Sequence, residues 1–328
     1  MALNTSVMLQ RNKVAVAIVG ATGRLGNEMA REFLSPGFRP YFSTVSCLTR
    51  DTSAPIAASL AELGADIRPV DLEQIESLKV ALKGADAVVN ALGPAVGKDV
   101  LDNVADAAAA VGAKVYFPSE FGSDIRLNDF PGWEHPVWAK KRAHFERAKE
   151  IAPGKMKVIA LYTGAILEFT LAPRTGYDFA NKKFTALGSP DTPIAFTSTQ
   201  DIGRTLAQLS ILCTSSADTR NSIPEIVRVA GTQVSVKQIA EIMGKESGDT
   251  IEVESVHLKE FKEELRKTYV STGVKGAAFP DFVRILIGEG KYDFSTNDNE
   301  LVNAKESVWV WKSMQQYAKE TKGKGASV

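Results

Sequence analysis

The chain has little cysteine, little histidine and no surplus of charge of either sign. Only Cys47 and Cys213 occur in 328 residues. They supply neither a disulfide framework nor a thiolate metal site, and they fit a reducing, cytoplasmic setting. His135, His144 and His257 show no metal-ligand spacing, so no metal is expected. Lys plus Arg (39) balances Asp plus Glu (39), and no long basic block occurs. That composition argues against nucleic acid or an anionic membrane as the main partner. No apolar run is long enough to span a bilayer, and the first dozen residues lack a signal-peptide pattern. Neither a Ser-His-Asp order nor a Gly-x-Ser-x-Gly elbow is present. A small-molecule partner remains, for a protein that is a monomer or a homodimer.

What is present is an opening motif. The apolar run 14–19 leads into Gly20-Ala21-Thr22-Gly23-Arg24-Leu25-Gly26, and residues 27–34 read as helix. A buried strand, a glycine turn and a helix N-terminus form a pyrophosphate site. Glycine in the turn permits positive φ and close approach of the backbone. The spacing is GxxGxxG rather than GxGxxG, and its place between strand and helix points to a dinucleotide. Strand-like runs follow at 43–48, 66–70, 86–90, 114–117 and 157–162, with helical spacing between them. This alternation predicts an α/β fold, a Rossmann-type doubly wound parallel sheet. The expected organisation is a flexible extension over 1–12, a dinucleotide-binding domain over 13–163, and a smaller, interwoven α/β substrate-binding region over 164–328. In the second part, Asp201 is expected to cap an apolar helix. The Ser235–Gln238 spacing predicts a capping box.

Several residues sit where such a fold does chemistry. Arg50 follows the second strand, where an arginine accommodates a ribose 2′-phosphate and an acidic residue would bond the 2′-hydroxyl. Asp51 stands beside it, and Arg50 coming first favours NADP over NAD. Arg24 lies within reach of a phosphate. Asp71 closes the third strand, either meeting an adenine amino group or capping the next helix. Ala91, Leu92 and Gly93 follow the fourth strand, where small residues let a cofactor pass close to the backbone. Lys140 and Lys141 begin the helix after the fifth strand. A lysine there holds ribose hydroxyls or, with its pKa lowered, moves a proton. Glu120, at another strand end, orients the lysine or braces its loop. His144, one turn on, is either a second polar group or packing.

The glycine motif, Arg50, Phe117-Pro118-Ser119-Glu120-Phe121-Gly122 and Lys140 together resemble the isoflavone reductase-like and NmrA-like atypical short-chain dehydrogenases. The resemblance is good over 13–169 and looser beyond, and the Phe-Pro-Ser-Glu-Phe-Gly run is its most specific piece. It implies an NADPH-dependent reductase of small aromatic or conjugated carbonyl compounds, of phenylpropanoid or isoflavonoid type. It implies a catalytic lysine on the helix after the loop. Lys140 matches because an apolar residue, Ala143, follows three later; Lys141 is the alternative. The expected cofactor contacts are Gly20, Thr22, Gly23, Arg24, Leu25, Gly26, Arg50, Asp71, Ala91, Leu92, Gly93, Pro118, Ser119, Glu120, Lys140, Thr163 and Gly164. The expected substrate walls are Phe121, Trp133, Tyr162, Ile166, Phe169 and Tyr177. The chain departs from the plant reductases at Gly164-Ala165-Ile166, where they carry an aromatic residue. It also has no Tyr-x-x-x-Lys pair. A second reading is therefore an NmrA-like regulator that senses NADP(H) without catalysis.

Overall fold

Residues 13–325 are described by the computed structural model, so the expected extension over 1–12 lies outside the described residues. The chain opens β1 Val14–Val19, α1 Arg24–Leu34, β2 Phe42–Thr49, α2 Pro55–Glu62, β3 Asp66–Pro69, α3 Ile75–Leu82, β4 Ala87–Asn90, α4 Lys98–Ala110, β5 Val115–Phe117, α5 Pro136–Ile151 and β6 Lys157–Val158. The six strands form one parallel sheet in the order β3-β2-β1-β4-β5-β6. Alternation along β1 explains why helices cover both faces. Val16 and Ile18 enter one core with Met29, Phe33 and Leu206, while Ala17 and Val19 enter the other with Val104, Ala108 and Tyr116. The strand order reverses between β1 and β4, and at that point the loops beyond the strand ends part to leave a crevice.

The sixth strand predicted over 157–162 is divided. After β6, the Ile159 N–H still reaches the Tyr116 carbonyl at 3.0 Å. Then β7, Ala160–Tyr162, pairs with a later strand instead. The remainder runs β8 Ala165–Ile166, α6 Leu167–Thr170, β9 Tyr177–Asp178, β10 Lys183–Leu187, β11 Ile194–Thr197, α7 Thr199–Ser215, α8 Ala217–Ser222, β12 Ile226–Arg228, β13 Thr232–Val234, α9 Val236–Ser247, β14 Glu252–Val256, α10 Leu258–Thr272, α11 Phe279–Gly288, α12 Asn299–Val302 and α13 Met314–Thr321. β12 is the parallel partner of β7. β14-β10-β9 and β13-β11-β8 form two small sheets.

Helix α7 returns to the nucleotide-binding half and packs along α1. Gly203 makes the approach possible, because a Cβ there would stand 2.9 Å from Glu32 Cβ. Arg204 Nε then donates to Glu32 Oε2 at 3.0 Å. The cap of α7 is Ser198 rather than the expected Asp201: Ser198 Oγ accepts from the Asp201 N–H at 3.0 Å. The Asp201 carboxylate is buried and serves the tail, accepting the Lys312 N–H at 2.8 Å. Helix α9 begins with the predicted Ser235–Gln238 capping box.

Candidate functional site

The opening turn shows why glycine is required. Gly20 takes φ +84°, and the Gly23 N–H closes the turn on the Gly20 carbonyl at 2.9 Å. A Cβ on Gly26 would stand 2.2 Å from that same oxygen, so only glycine lets α1 start against the turn. Gly23 occupies the N-cap of α1 and supplies no side-chain cap. The first N–H groups of the helix are therefore left to an anion. The turn is joined to β2 by a 3.2 Å hydrogen bond between the Thr22 and Thr49 hydroxyls.

Arg50 is exposed just past β2. Its acidic neighbour is engaged elsewhere. Asp51 Oδ1 accepts from the Ser53 N–H at 2.9 Å and from Ser53 Oγ at 2.6 Å, bonds that hold its carboxyl below the ordinary range. Asp71 is also exposed, and its carboxylate accepts the Glu73 N–H at 3.0 Å. It caps that turn, while α3 starts later, at Ile75.

Beside the switch point lies a cavity of about 500 Å³. Gly23, Arg24, Leu25, Ala91, Leu92, Gly93, Ser119, Glu120, Lys140 and Gly164 line it among the expected cofactor contacts. Gly20, Thr22, Gly26, Arg50, Asp71, Pro118 and Thr163 stand outside its lining. The two inner loops are tied together by Ser119 Oγ donating to the Leu92 carbonyl at 2.8 Å. The Gly122 carbonyl accepts from the Thr163 and Gly164 N–H groups at 3.0 and 3.1 Å. Gly164 has φ +65° and faces β11 so closely that a Cβ would lie 2.4 Å from the Ala195 carbonyl oxygen. Close approach to β11 is what its lack of a side chain secures there.

Three of the expected substrate walls, Phe121, Ile166 and Phe169, do line the cavity. The Arg24 guanidinium lies 4.0 Å above the Phe169 ring, so the glycine loop and α6 close on each other. Trp133, Tyr162 and Tyr177 do not line it. All three are buried: Trp133 packs on Phe130 and Phe282, and Tyr177 on Phe184. Their places on the wall are taken by Trp138 from α5, Phe279, Pro280 and Val283 from α11, and Tyr292. No sequence motif singles out Phe279 or Val283. The available signal was only the apolar face of α11, which also supplies Phe282 and Leu286 to the core.

The two lysines differ. Lys140 Nζ donates to the Pro94 carbonyl at 2.7 Å and the Val96 carbonyl at 2.5 Å, bracing the β4–α4 loop. Ala143, the apolar residue that matched Lys140 to the resemblance, is exposed. The buried stripe of α5 is Trp138, His144, Phe145 and Ala148. Lys141 lies three residues from both Trp138 and His144, half-buried on the same face of the helix. Burial pushes the Lys141 ammonium pKa down, opposed by the field of Glu120. Burial likewise pushes the Glu120 carboxyl up to about 7, against the pull of Lys141 and Arg142. Glu120 is 2% exposed, and its Oε2 has no hydrogen-bond partner. A buried acid and a destabilised ammonium on the wall of one cavity are suited to proton transfer.

Among the described residues no three His, Cys, Asp or Glu side chains are grouped to hold a metal ion, and no helix is long and apolar enough to cross a membrane.

Comparison with known proteins gives a consistent family. A curated relative from Gibberella moniliformis, an NmrA-like family domain-containing oxidoreductase, is 27% identical over 196 residues, which is 58% of this chain and 60% of that protein. The chain thus spans under two thirds of that relative's length. The isoflavone reductase homolog IRL of Zea mays is 29% identical over 257 residues, 74% of this chain and 78% of that protein. The solved leucoanthocyanidin reductase–NADPH complex of Vitis vinifera superposes with a TM-score of 0.69 at 19% identity, over 94% of this chain and 100% of that one. It shares the fold. The model of the NmrA-like family matches residues 12–285, and the chain belongs to that family.

Proposed function

We propose that this protein is an NADPH-dependent reductase of small aromatic or conjugated carbonyl compounds, with a lysine that handles the proton. One observation carries the reading: the cavity joins an uncapped helix N-terminus, an aromatic wall, the buried Glu120 carboxyl and the Lys141 ammonium. The chain's similarity to reductases supports it, the Vitis vinifera neighbour having been solved with NADPH.

The residues fit the cofactor. The free N–H groups at the start of α1 and Arg24 suit its diphosphate. Arg50, with Asp51 occupied by Ser53, suits a 2′-phosphate rather than a 2′-hydroxyl. The small residues Ala91 and Gly93 leave room along the inner wall. When bound, NADPH supplies a hydride to an electrophilic carbon. The chain's own part is to hold an aromatic substrate against Phe169, Trp138, Phe279 and Val283, exclude water, and provide a proton. We assign that proton to Lys141 rather than Lys140. Lys141 lines the cavity together with the buried Glu120, whereas both hydrogen bonds of Lys140 go to backbone carbonyls. Lys140 then acts by holding the loop beyond Leu92.

The second reading, an NADP(H)-sensing regulator without catalysis, draws support from the small residues at 164–165. A screen of NADPH oxidation over aromatic ketones, enones, quinones and benzylic ethers tests the choice. Turnover of any class establishes the reductase. Tight NADPH binding with no turnover across the panel overturns it in favour of the sensor.

A further inference from the structure

Along one wall of the cavity, which His144 lines, a file of polar groups runs from the surface of α4 to the loop after β4. Lys98 Nζ pairs with Asp102 Oδ2. Asp102 Oδ1 lies 2.7 Å from His144 Nδ1, and His144 Nε2 lies 2.9 Å from the Tyr116 hydroxyl. Asn90 Nδ2 donates to that hydroxyl at 2.9 Å, and Asn90 Oδ1 accepts the Leu92 N–H at 3.1 Å. Tyr116 and Asn90 are fully buried and His144 is 2% exposed.

The proton positions are dictated from both ends. The Leu92 backbone N–H can only donate, so Asn90 must turn its oxygen to it and its amide nitrogen to Tyr116. Tyr116 then spends its single proton on His144 Nε2, which leaves Nδ1 as the protonated nitrogen. Starting instead from Asp102, an ionised carboxylate only accepts, and it also requires a proton on Nδ1. The two ends agree, and every member is satisfied. Protonation states match this order. Burial holds His144 below its ordinary pKa despite Asp102, so the ring is neutral. Burial alone would raise the Asp102 pKa, but the His144 and Lys98 hydrogen bonds outweigh it and keep the carboxyl ionised.

We propose that Asp102, His144, Tyr116 and Asn90 are positioning residues, a proton-ordered chain that sets the Ala91-Leu92-Gly93 backbone in its cofactor-receiving conformation. The proposal rests on the reading of that loop as a cofactor wall. The loop is held from both sides of Leu92, its N–H by Asn90 and its carbonyl by Ser119 Oγ at 2.8 Å. Two of the four residues tie the chain to the cavity wall: His144 lines it directly, and Tyr116 lies on β5, which runs into the loop carrying the lining residue Ser119.

The test compares full-length wild type with Tyr116→Phe, His144→Leu and His144→Gln. NADPH affinity is read by calorimetry, and Tm is recorded in parallel. Tyr116→Phe and His144→Leu each strand buried partners and are expected to weaken NADPH roughly tenfold. Glutamine carries one acceptor and one donor head, so His144→Gln should stay within about threefold of wild type. Such a Kd pattern, read below the Tm of every variant, separates positioning from bulk stability. NADPH binding by Tyr116→Phe and His144→Leu within about twofold of wild type, whatever their Tm, overturns the proposal. If Tyr116→Phe does not fold, the His144→Leu and His144→Gln pair decides alone. Absence of NADPH binding by wild type overturns the cofactor reading and this proposal with it, whereas binding by wild type with indifferent variants overturns this proposal only.

Discussion

Glu120 and Lys141 border one cavity, and each opposes the burial shift of the other. The carboxyl is raised by burial and drawn back by the ammonium. The ammonium is lowered by burial and drawn back by the carboxyl. Neither is part of the hydrogen bonds that brace the neighbouring loop, which belong to Lys140. Under the proposed function, proton handling and loop support fall to adjacent residues on one helix.

Lys141→Ala should lower kcat by about a hundredfold or more, the usual worth of a positioned acid or base, while NADPH still binds. Lys140→Ala should cost less in kcat and register in Tm, because it frees the Pro94 and Val96 carbonyls. Steady-state kinetics and calorimetry on the two variants separate these roles. The reverse ranking assigns the proton to Lys140.

The Glu120 pKa sets a stability slope. Its folded-state value of about 7 lies above the ordinary carboxylate value of 4.5. The unfolded chain therefore releases the proton first, and the stability that Glu120 contributes is complete below pH 4.5 and lost as pH rises to about 7. Glu120→Gln should remove that slope. The Tm of the variant, relative to wild type, should rise between pH 5 and pH 7 by the equivalent of on the order of 1–3 kcal/mol. Parallel melting curves at the two pH values would show that Glu120 does not titrate in this window.

Arg50→Ala should weaken NADPH by at least about tenfold, the scale of a lost charge-assisted contact, with little change for NADH. Calorimetry with both cofactors measures this directly. Equal losses for the two would remove the 2′-phosphate role from Arg50.

Gly26→Ala should prevent α1 from seating on its turn, since the added methyl would meet the Gly20 carbonyl at 2.2 Å. A loss of about 1–3 kcal/mol or more in unfolding free energy is expected, together with lost NADPH affinity. Denaturant unfolding and calorimetry report the two effects.

Phe279→Ala removes an aromatic face from the cavity wall without touching the glycine loop. Substrate KM should rise roughly tenfold at unchanged NADPH affinity, the expected cost of an apolar wall contact. An equal change in both would place Phe279 outside the substrate wall.

The doubly wound sheet was legible because its signals are local: apolar runs, a glycine turn, and helical spacing between them. The Phe117–Gly122 loop was legible as a motif and lies at the cavity through Ser119, Glu120 and Phe121. The phase of α5 was not. Ala143 is apolar enough to suggest a buried position, yet small enough to sit outside at no cost, while the polar His144 takes the inside because Asp102 and Tyr116 satisfy both its nitrogens. Trp133, Tyr162 and Tyr177 show the same limit. Aromatic residues near a site in sequence serve its core as readily as its surface, and the choice depends on which neighbours arrive from α11 and β10. The Ser198 cap was missed because Asp201 also has capping chemistry; the buried Lys312 contact that claims its carboxylate comes from 111 residues further along the chain.

The way β12 and α7 return to the nucleotide-binding half has a consequence for how such proteins diversify. The later residues pair with β7 just past the main sheet and cover α1 instead of hanging from a hinge. A new substrate pocket cannot be acquired here by exchanging the C-terminal part as a cassette, since that would strip the scaffold of its own covering. Change is channelled into point replacements at the cavity-facing positions of α6 and α11, Phe169, Phe279 and Val283, because Leu167, Phe282 and Leu286 on the same helices are committed to the core.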